Sequence, residues 1–402
     1  MKFPHSFTSV ALCAGTVAGN VLTHVNQQDE CRTSWPGWKG IKYMFVFGDS
    51  YSQTGFNTSG LQPSIGNPLG NPPFPGWTSS HGPNWVGLLT LEYNSSNVLT
   101  YNLADGGATV DATLVKPWRS DVLSLTDQVQ KRFVRKYANK PPQTPWAQNN
   151  TLFAFWIGIN DVGNTYWEKN RTIVDRIFAK YNSLVEEVYE TGARNFIFLG
   201  VPPIQRTPRN SGNKEAAELE DKAVKAWNSD LIKMSDSLRA RHPDITSLIF
   251  QTMDIWNRVL DDPLSFPQTK SLKDTQDFCG VYPDIPQSTI DRYTLSMLDR
   301  YRIPHGAVHA QQVSKTGAAE PGKCKYKDSE YFWYNDMHPT SPIHDVTASE
   351  VSKLLAGWPS NVGTACVANK QVEKKVDRKV GRRRTTRRKM TGDEALREFY
   401  DS

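Results

Sequence analysis

The sequence predicts an α/β fold whose parallel sheet is covered by helices on both faces. Short apolar runs alternate along the chain with longer segments of helical period. The runs read as buried strands, since strands covered on both faces need apolar residues throughout. The first run, Tyr43-Met44-Phe45-Val46-Phe47, ends in Gly48-Asp49-Ser50, which puts a serine at the C-terminal lip of a strand, where open α/β sheets present their chemistry. In order, Trp85-Val86-Gly87-Leu88-Leu89 then opens a core helix, and residues 98–103 and 152–157 form the next strands. Ile173, Ile177, Tyr181, Leu184, Val185 and Val188 recur at helical spacing in a helix that ends at Gly192. A strand at 196–199, a more charged helix at 216–238 and a strand at 248–250 follow. The last helix is expected over 345–355, with Pro339 turning the chain into it.

Two stretches break the pattern. Residues 57–84 are dense in Gly, Pro, Asn and Ser, and a loop this long beginning at Ser50 is read as one wall of a substrate cleft. Within it, Phe74 and Trp77 are candidates either for stacking on a ring of the substrate or for burial, while Trp85 opens a core helix. Residues 261–286 read as an insertion or long loop, with no internal repeat and no second domain boundary before the tail.

The 402 residues, 38% hydrophobic and 11% aromatic, have the composition of a folded globular protein. No stretch approaches the roughly eighteen consecutive apolar residues of a membrane helix. Lys2 and His5 precede a run of small and apolar residues over 9–19, read as a signal peptide spanning 1–19 and cleaved near Gly19-Asn20 or a few residues later. Its removal takes Cys13 away and leaves Cys31, Cys279, Cys324 and Cys366, an even set suited to two disulfides whose pairing stays open. There is no Cys-x-x-Cys pair, so no structural zinc is expected. Sequons at Asn57, Asn94, Asn149 and Asn170 fit an exported glycoprotein.

The formal charge of +6 belongs to the C-terminus: residues 370–402 carry twelve Lys/Arg against six Asp/Glu, and the preceding chain balances at thirty-five of each. The body therefore has no general attraction for nucleic acid or acidic polymers. The tail, 367–402, with its basic cluster at 382–389, is read as a disordered, solvated extension, with a nucleic-acid patch or nuclear address as the alternative.

Four blocks carry chemistry. Gly48-Asp49-Ser50 is followed by Ala104-Asp105-Gly106-Gly107-Ala108-Thr109, then Trp156-Ile157-Gly158-Ile159-Asn160-Asp161, then Asp336-Met337-His338-Pro339-Thr340. Each alone is a common turn. In this order they resemble the GDSL, or SGNH, hydrolase superfamily, and most nearly its secreted fungal members, which include acetylesterases of carbohydrate esterase family sixteen. The likeness runs from Tyr43 to Trp358 and takes in Gly192-Ala193-Arg194-Asn195-Phe196 and Gly200-Val201-Pro202-Pro203.

The resemblance implies a three-layer α/β/α sandwich on a flavodoxin-like sheet, with residues 20–366 as the hydrolase domain. It implies serine esterase chemistry: Ser50 as nucleophile, His338 as base, and an oxyanion hole of the Ser50 N–H, the Gly107 N–H in preference to that of Gly106, and the Asn160 amide. The family's acid stands three residues before the histidine, and here that position is Asn335, with Asp336 two before. The sequence reading leans to Asp336 through a shifted turn, with Asn335 or a backbone carbonyl as alternatives. His344 is read as a surface or capping histidine. No metal or organic cofactor is called for. The expected protein is a secreted, extracellular monomer acting on a small-molecule or oligosaccharide acetyl ester of plant cell wall, with neither nucleic acid nor membrane as partner. A lipase or acyltransferase on the same scaffold, or a carbohydrate-binding protein with a relic site, are the competing readings.

Overall fold

In the computed structural model, which describes residues 35–279 and 324–359, the apolar runs form β1 (Tyr43–Gly48), β2 (Leu99–Asn102), β3 (Thr151–Trp156), β4 (Asn195–Leu199) and β5 (Thr246–Phe250). All five are parallel in the order β2-β1-β3-β4-β5, the flavodoxin-like arrangement, and β1 is paired along its length with β3 from Tyr43↔Thr151 to Gly48↔Trp156. The order reverses at β1, so the loops leaving β1, β2 and β3 converge at one edge, at the switch point where such sheets bind ligands.

Helices cover both faces. On one lie α1 (Trp85–Leu91), α6 (Thr252–Asp261) and α7 (Ser341–Gly357); on the other lie α2 (Leu125–Asp127), which runs on into a π-helical stretch (Gln128–Val134), α4 (Arg171–Glu190) and α5 (Lys214–Arg241), while the short α3 (Ile159–Gly163) leaves β3 directly. Alternate strand residues explain the two cores. Phe45 and Phe47, Phe153 and Phe155, and Phe196 and Phe198 form an aromatic seam across three strands, with Phe47 stacked 4.6 Å from Phe155 and Phe155 5.5 Å from Phe198. Phe133 and Tyr181 close that seam from the helices. The opposite face is built on Trp85, Trp156 and Trp256, all fully buried. Each such ring contributes roughly 1.5–3 kcal/mol by leaving water, so the sheet edge they support is stiff.

The expected strand and helix positions hold to within a few residues. Residues 261–279 differ from a plain loop: two short 3₁₀ turns lead into β6 (Asp274–Phe278), which pairs in parallel with β7 (Tyr331–Trp333). Cys279 and Cys324 are disulfide-bonded, 5.6 Å apart at Cα, next to this small sheet. Pro339 does not begin the last helix. It forms a bridge with Trp333, and α7 starts at Ser341 with Pro342 in its first turn. The proposed signal segment, Cys31, Cys366 and the basic tail lie outside the described residues.

Candidate active site

Ser50 follows β1 in a tight turn: the Ser52 and Gln53 N–H groups donate to the Asp49 carbonyl at 3.1 and 2.9 Å, and the Tyr51 N–H donates to Asp49 Oδ1 at 3.0 Å. Three amide side chains brace this elbow. Gln128 accepts from the Gly48 N–H at 2.9 Å and donates to the Gly48 carbonyl at 2.8 Å. Asn84 donates to the Ser52 and Gln53 carbonyls at 2.9 and 2.8 Å, and Asn102 donates to Ser52 O at 2.6 Å. Buried donors and acceptors left unpaired are costly, so this paired network fixes the turn that presents Oγ.

His338 Nε2 lies 2.7 Å from Ser50 Oγ, although 288 residues separate them. Its Nδ1 lies 3.0 Å from Asn335 Oδ1. The same oxygen accepts the Met337 N–H at 2.9 Å and the His338 N–H at 2.8 Å. Two backbone donors thus require that Asn335 turn its oxygen, not its NH₂, toward the ring, so Nδ1 is the protonated nitrogen and Nε2 is left to accept from Ser50. The leaning toward Asp336 does not match this geometry. Asp336 is exposed and outside the turn that the two N–H groups close; it meets the site only through its carbonyl, which accepts from the Arg209 N–H at 3.0 Å. Burial lowers the His338 pKa to about 4, so the ring is neutral at ordinary pH.

His344, expected at the surface, is instead 1% exposed inside α7. Burial first, and then the charge of His338, lower its pKa to about 3. It faces the edge of the Tyr51 ring, not Ser50.

Asn160 opens α3. Its Nδ2 donates to the Ala108 carbonyl at 2.9 Å, leaving its second hydrogen for another acceptor. Its neighbour Asp161 accepts the Val110 N–H on both oxygens, at 3.1 and 3.2 Å. Two consecutive α3 residues therefore grip the β2 loop on either side of Thr109 and set the height of Gly107. The Asp105 N–H, bonded to the Gly48 carbonyl at 3.2 Å, ties the same loop to the end of β1. Among the described residues, neither the Ser50 nor the Gly107 N–H meets a protein acceptor. Gly107 has φ +83°, and a Cβ there would fall 2.2 Å from Trp118 Cδ1. Both demands select glycine, but the crowding atom is an indole of the protein itself.

Two carboxyls sit behind this constellation. Asp49 and Asp161 are fully buried, and desolvation raises their pKa values to about 8 and about 7, with Asp161 adding to the rise at Asp49. Asp49 Oδ2 is buried without a hydrogen-bond partner, as suits a carboxyl kept protonated.

Several contributors escape a reading of the sequence. The Tyr51 hydroxyl donates to the Met337 carbonyl. Arg209 reaches Met337 Sδ at 3.4 Å and the Gly163 carbonyl at 3.2 Å, joining the His338 turn to the end of α3. Position next to Ser50 is the one hint that Tyr51 gives; the Arg209 contacts have no local signature. Phe74, a stacking candidate, packs against α1 at Gly87, whereas Trp77 is 68% exposed.

Residues 44–293 match the model of the GDSL-like lipase/acylhydrolase family. The chain belongs to that family. As a GDSL-family protein it is a carboxylic-ester hydrolase. It is 46% identical over 230 residues to an acetylesterase of Thermothelomyces thermophilus, covering 56% of this chain and 75% of the relative. To an acetylesterase of Hypocrea jecorina it is 24% identical over 342 residues, covering 79% and 89%. Among solved structures, a catalytic mutant of an acetylxylan esterase from Geobacillus stearothermophilus overlaps 65% of this chain and 94% of its own at 15% identity and a TM-score of 0.34, too loose an overlap to argue from.

Proposed function

We propose that this GDSL-family protein is a secreted serine esterase that removes acetyl groups from sugars or oligosaccharides of plant cell wall, acting as a monomer. The observation that carries the serine chemistry is the 2.7 Å contact between Ser50 Oγ and His338 Nε2, with Nδ1 engaged at 3.0 Å by Asn335 Oδ1. Ser50 Oγ attacks the acetyl carbonyl as its proton passes to Nε2. The carbonyl oxygen becomes negative, and the Ser50 and Gly107 N–H groups with the free hydrogen of Asn160 Nδ2 receive it. The bond from acyl carbon to alcohol oxygen then breaks, and the alcohol leaves with the proton from His338. Water, deprotonated by the same nitrogen, attacks the acetyl carbon; the bond to Oγ breaks, acetate leaves, and Ser50 takes the proton back from His338.

Asn335 carries no charge to steady the imidazolium. In a trypsin-like triad the exchange of acid for amide costs about 10⁴ in turnover because the wrong tautomer results. Here two backbone donors turn the amide oxygen to the ring, so the tautomer is right and that penalty is avoided. The preference for acetyl rests on similarity to two acetylesterases.

The test is hydrolysis of 4-nitrophenyl acetate and octanoate by the wild type and Ser50→Ala. The expectation is fast acetate turnover, a steep fall to octanoate, and loss of both in the variant. Retained turnover in Ser50→Ala would end the serine reading, and equal rates on octanoate would move the enzyme to the lipases.

A further inference from the structure

All twelve tryptophans of the chain fall within the described residues, and nine of them are buried. The three exposed ones are Trp77, Trp118 and Trp167, at 68%, 71% and 55%. They stand one each on the loops that leave β1, β2 and β3, the three loops that supply Ser50, Gly107 and Asn160. Leaving a single large apolar ring in water is unremarkable. Leaving three, all at the catalytic edge, in a chain that buries every other indole, is a pattern that needs a reason.

Two of the three are mounted alike. The Trp77 ring lies over Gly55, where φ is +77° and a Cβ would fall 2.5 Å from Cε3, and the Trp77 backbone N–H donates to the Thr54 carbonyl at 2.9 Å. The edge of Trp118 lies over Gly107, and the guanidinium of Arg119, itself paired with Asp121, sits 4.6 Å from the ring centroid. A side chain at either glycine would displace the indole above it. Gln53 links the two mounts: its Oε1 lies where a Cβ of Gly106 would be, at 2.4 Å, and its Nε2 donates to Ser79 Oγ at 3.2 Å, two residues beyond Trp77. Gln53 thus touches the loop that carries Trp77 at Ser79 and the loop under Trp118 at Gly106, while Tyr166 and Trp167, 5.0 Å apart edge to face, belong to the third loop.

Resting on the acetylesterase reading, we propose that Trp77, Trp118 and Trp167, with Gln53 joining the first two loops, form a platform that binds the alcohol portion of the substrate as an oligosaccharide of β-linked pyranose units. The chemistry favours sugar over acyl chain. An acyl chain wants continuous aliphatic wall, whereas here the indoles stand on separate loops with polar neighbours, Gln53 and Ser79 on the first and Arg119 and Asp121 on the second. Spaced aromatic surfaces with polar groups beside them match the C–H faces and hydroxyl rims of consecutive sugar rings. A platform that spans three loops accommodates more than one ring, so these tryptophans set specificity while the Ser50 centre does the chemistry.

The test compares kcat/KM on acetylated xylotetraose and acetylated cellotetraose with kcat/KM on 4-nitrophenyl acetate for Trp77→Ala, Trp118→Ala, Trp167→Ala and the three Trp→Phe variants. Each Trp→Ala is expected to lower the ratio of oligosaccharide to aryl acetate by about three- to tenfold, the size of one lost aromatic contact, mainly through KM. The Phe variants should recover most of that ratio. Titration of Ser50→Ala with underivatised xylotetraose and cellotetraose should change its tryptophan fluorescence, and Trp118→Ala in the same background should weaken that binding. Equal losses on both substrate types, Phe variants as impaired as Ala, or losses confined to 4-nitrophenyl octanoate would each overturn the platform. Failure of the esterase reading looks different: no variant or wild type would turn over acetate, while the fluorescence titration would still report sugar binding or its absence.

Discussion

On the oxyanion side of Ser50, position is set by backbone bonds and two buried acids; on the base side the imidazole is oriented at Nδ1 by one neutral amide. Asn160 and Asp161 grip Ala108 and Val110, and Asp49 receives the Tyr51 N–H. Across the serine, Asn335 alone meets Nδ1 of His338. The two sides nevertheless reach the same electrostatic end. Asp49 and Asp161 are pushed by burial to about 8 and about 7, and the place of the usual acid is held by a group that cannot ionise. Neither side puts a firmly charged carboxylate beside the His338 ring, and nothing offsets the burial that keeps its pKa low.

The comparison breaks most readily on its oxyanion side. Asn160→Ala should lower kcat by about 10²–10³, the usual cost of one oxyanion donor; steady-state kinetics on 4-nitrophenyl acetate showing less than about a fivefold loss would remove Asn160 from the hole. On the base side, Asn335→Ala should lower kcat by about ten- to a hundredfold and Asp336→Ala by no more than about threefold, because only the former frees the ring tautomer. The reverse ranking would restore Asp336 as the orienting group.

Asn335→Asp sharpens the contrast. A carboxylate in the amide's place favours the protonated ring and raises the His338 pKa from about 4. The base works only when neutral, so the acid limb of the kcat/KM profile should move upward by about one unit, with rate lost near pH 5 where the wild type still turns over. An unmoved limb would mean that position 335 does not face Nδ1.

The smallest effect is on stability. Asp49 titrates near 3.8 when unfolded and at about 8 when folded, so the folded state holds the extra proton between those values. Stability from this group is full below about pH 4 and is lost as pH rises toward 8. Asp49→Asn cannot ionise, so the fall in Tm between pH 5 and pH 9 should shrink by a few degrees, roughly 3–5 °C in thermal scans. An unchanged slope would mean that Asp49 is not the buried neutral acid.

The strands were legible in the sequence because a strand covered on both faces has to be apolar throughout, as Phe45 and Phe153 illustrate. The helix over 125–134 was missed, although Leu125, Val129 and Phe133 recur every fourth residue and are all buried. The four blocks were legible because strand ends fix where they go. The choice between Asn335 and Asp336 was not, since it turns on where two backbone N–H groups point. Trp118 was invisible for a related reason: a tryptophan in a loop does not announce whether it is buried, and its mount on Gly107 joins residues eleven apart through a turn.

The span of 288 residues between Ser50 and His338 also orders events in time. Every proposed oxyanion donor lies within the first 160 residues, on loops of β1, β2 and β3, while the histidine arrives between β7 and α7 near the end of the described chain. A chain still emerging from its ribosome can therefore pair its central strands while lacking any base. Turnover cannot precede the arrival of that histidine, so in refolding its onset reports the docking of the C-terminal segment against the sheet.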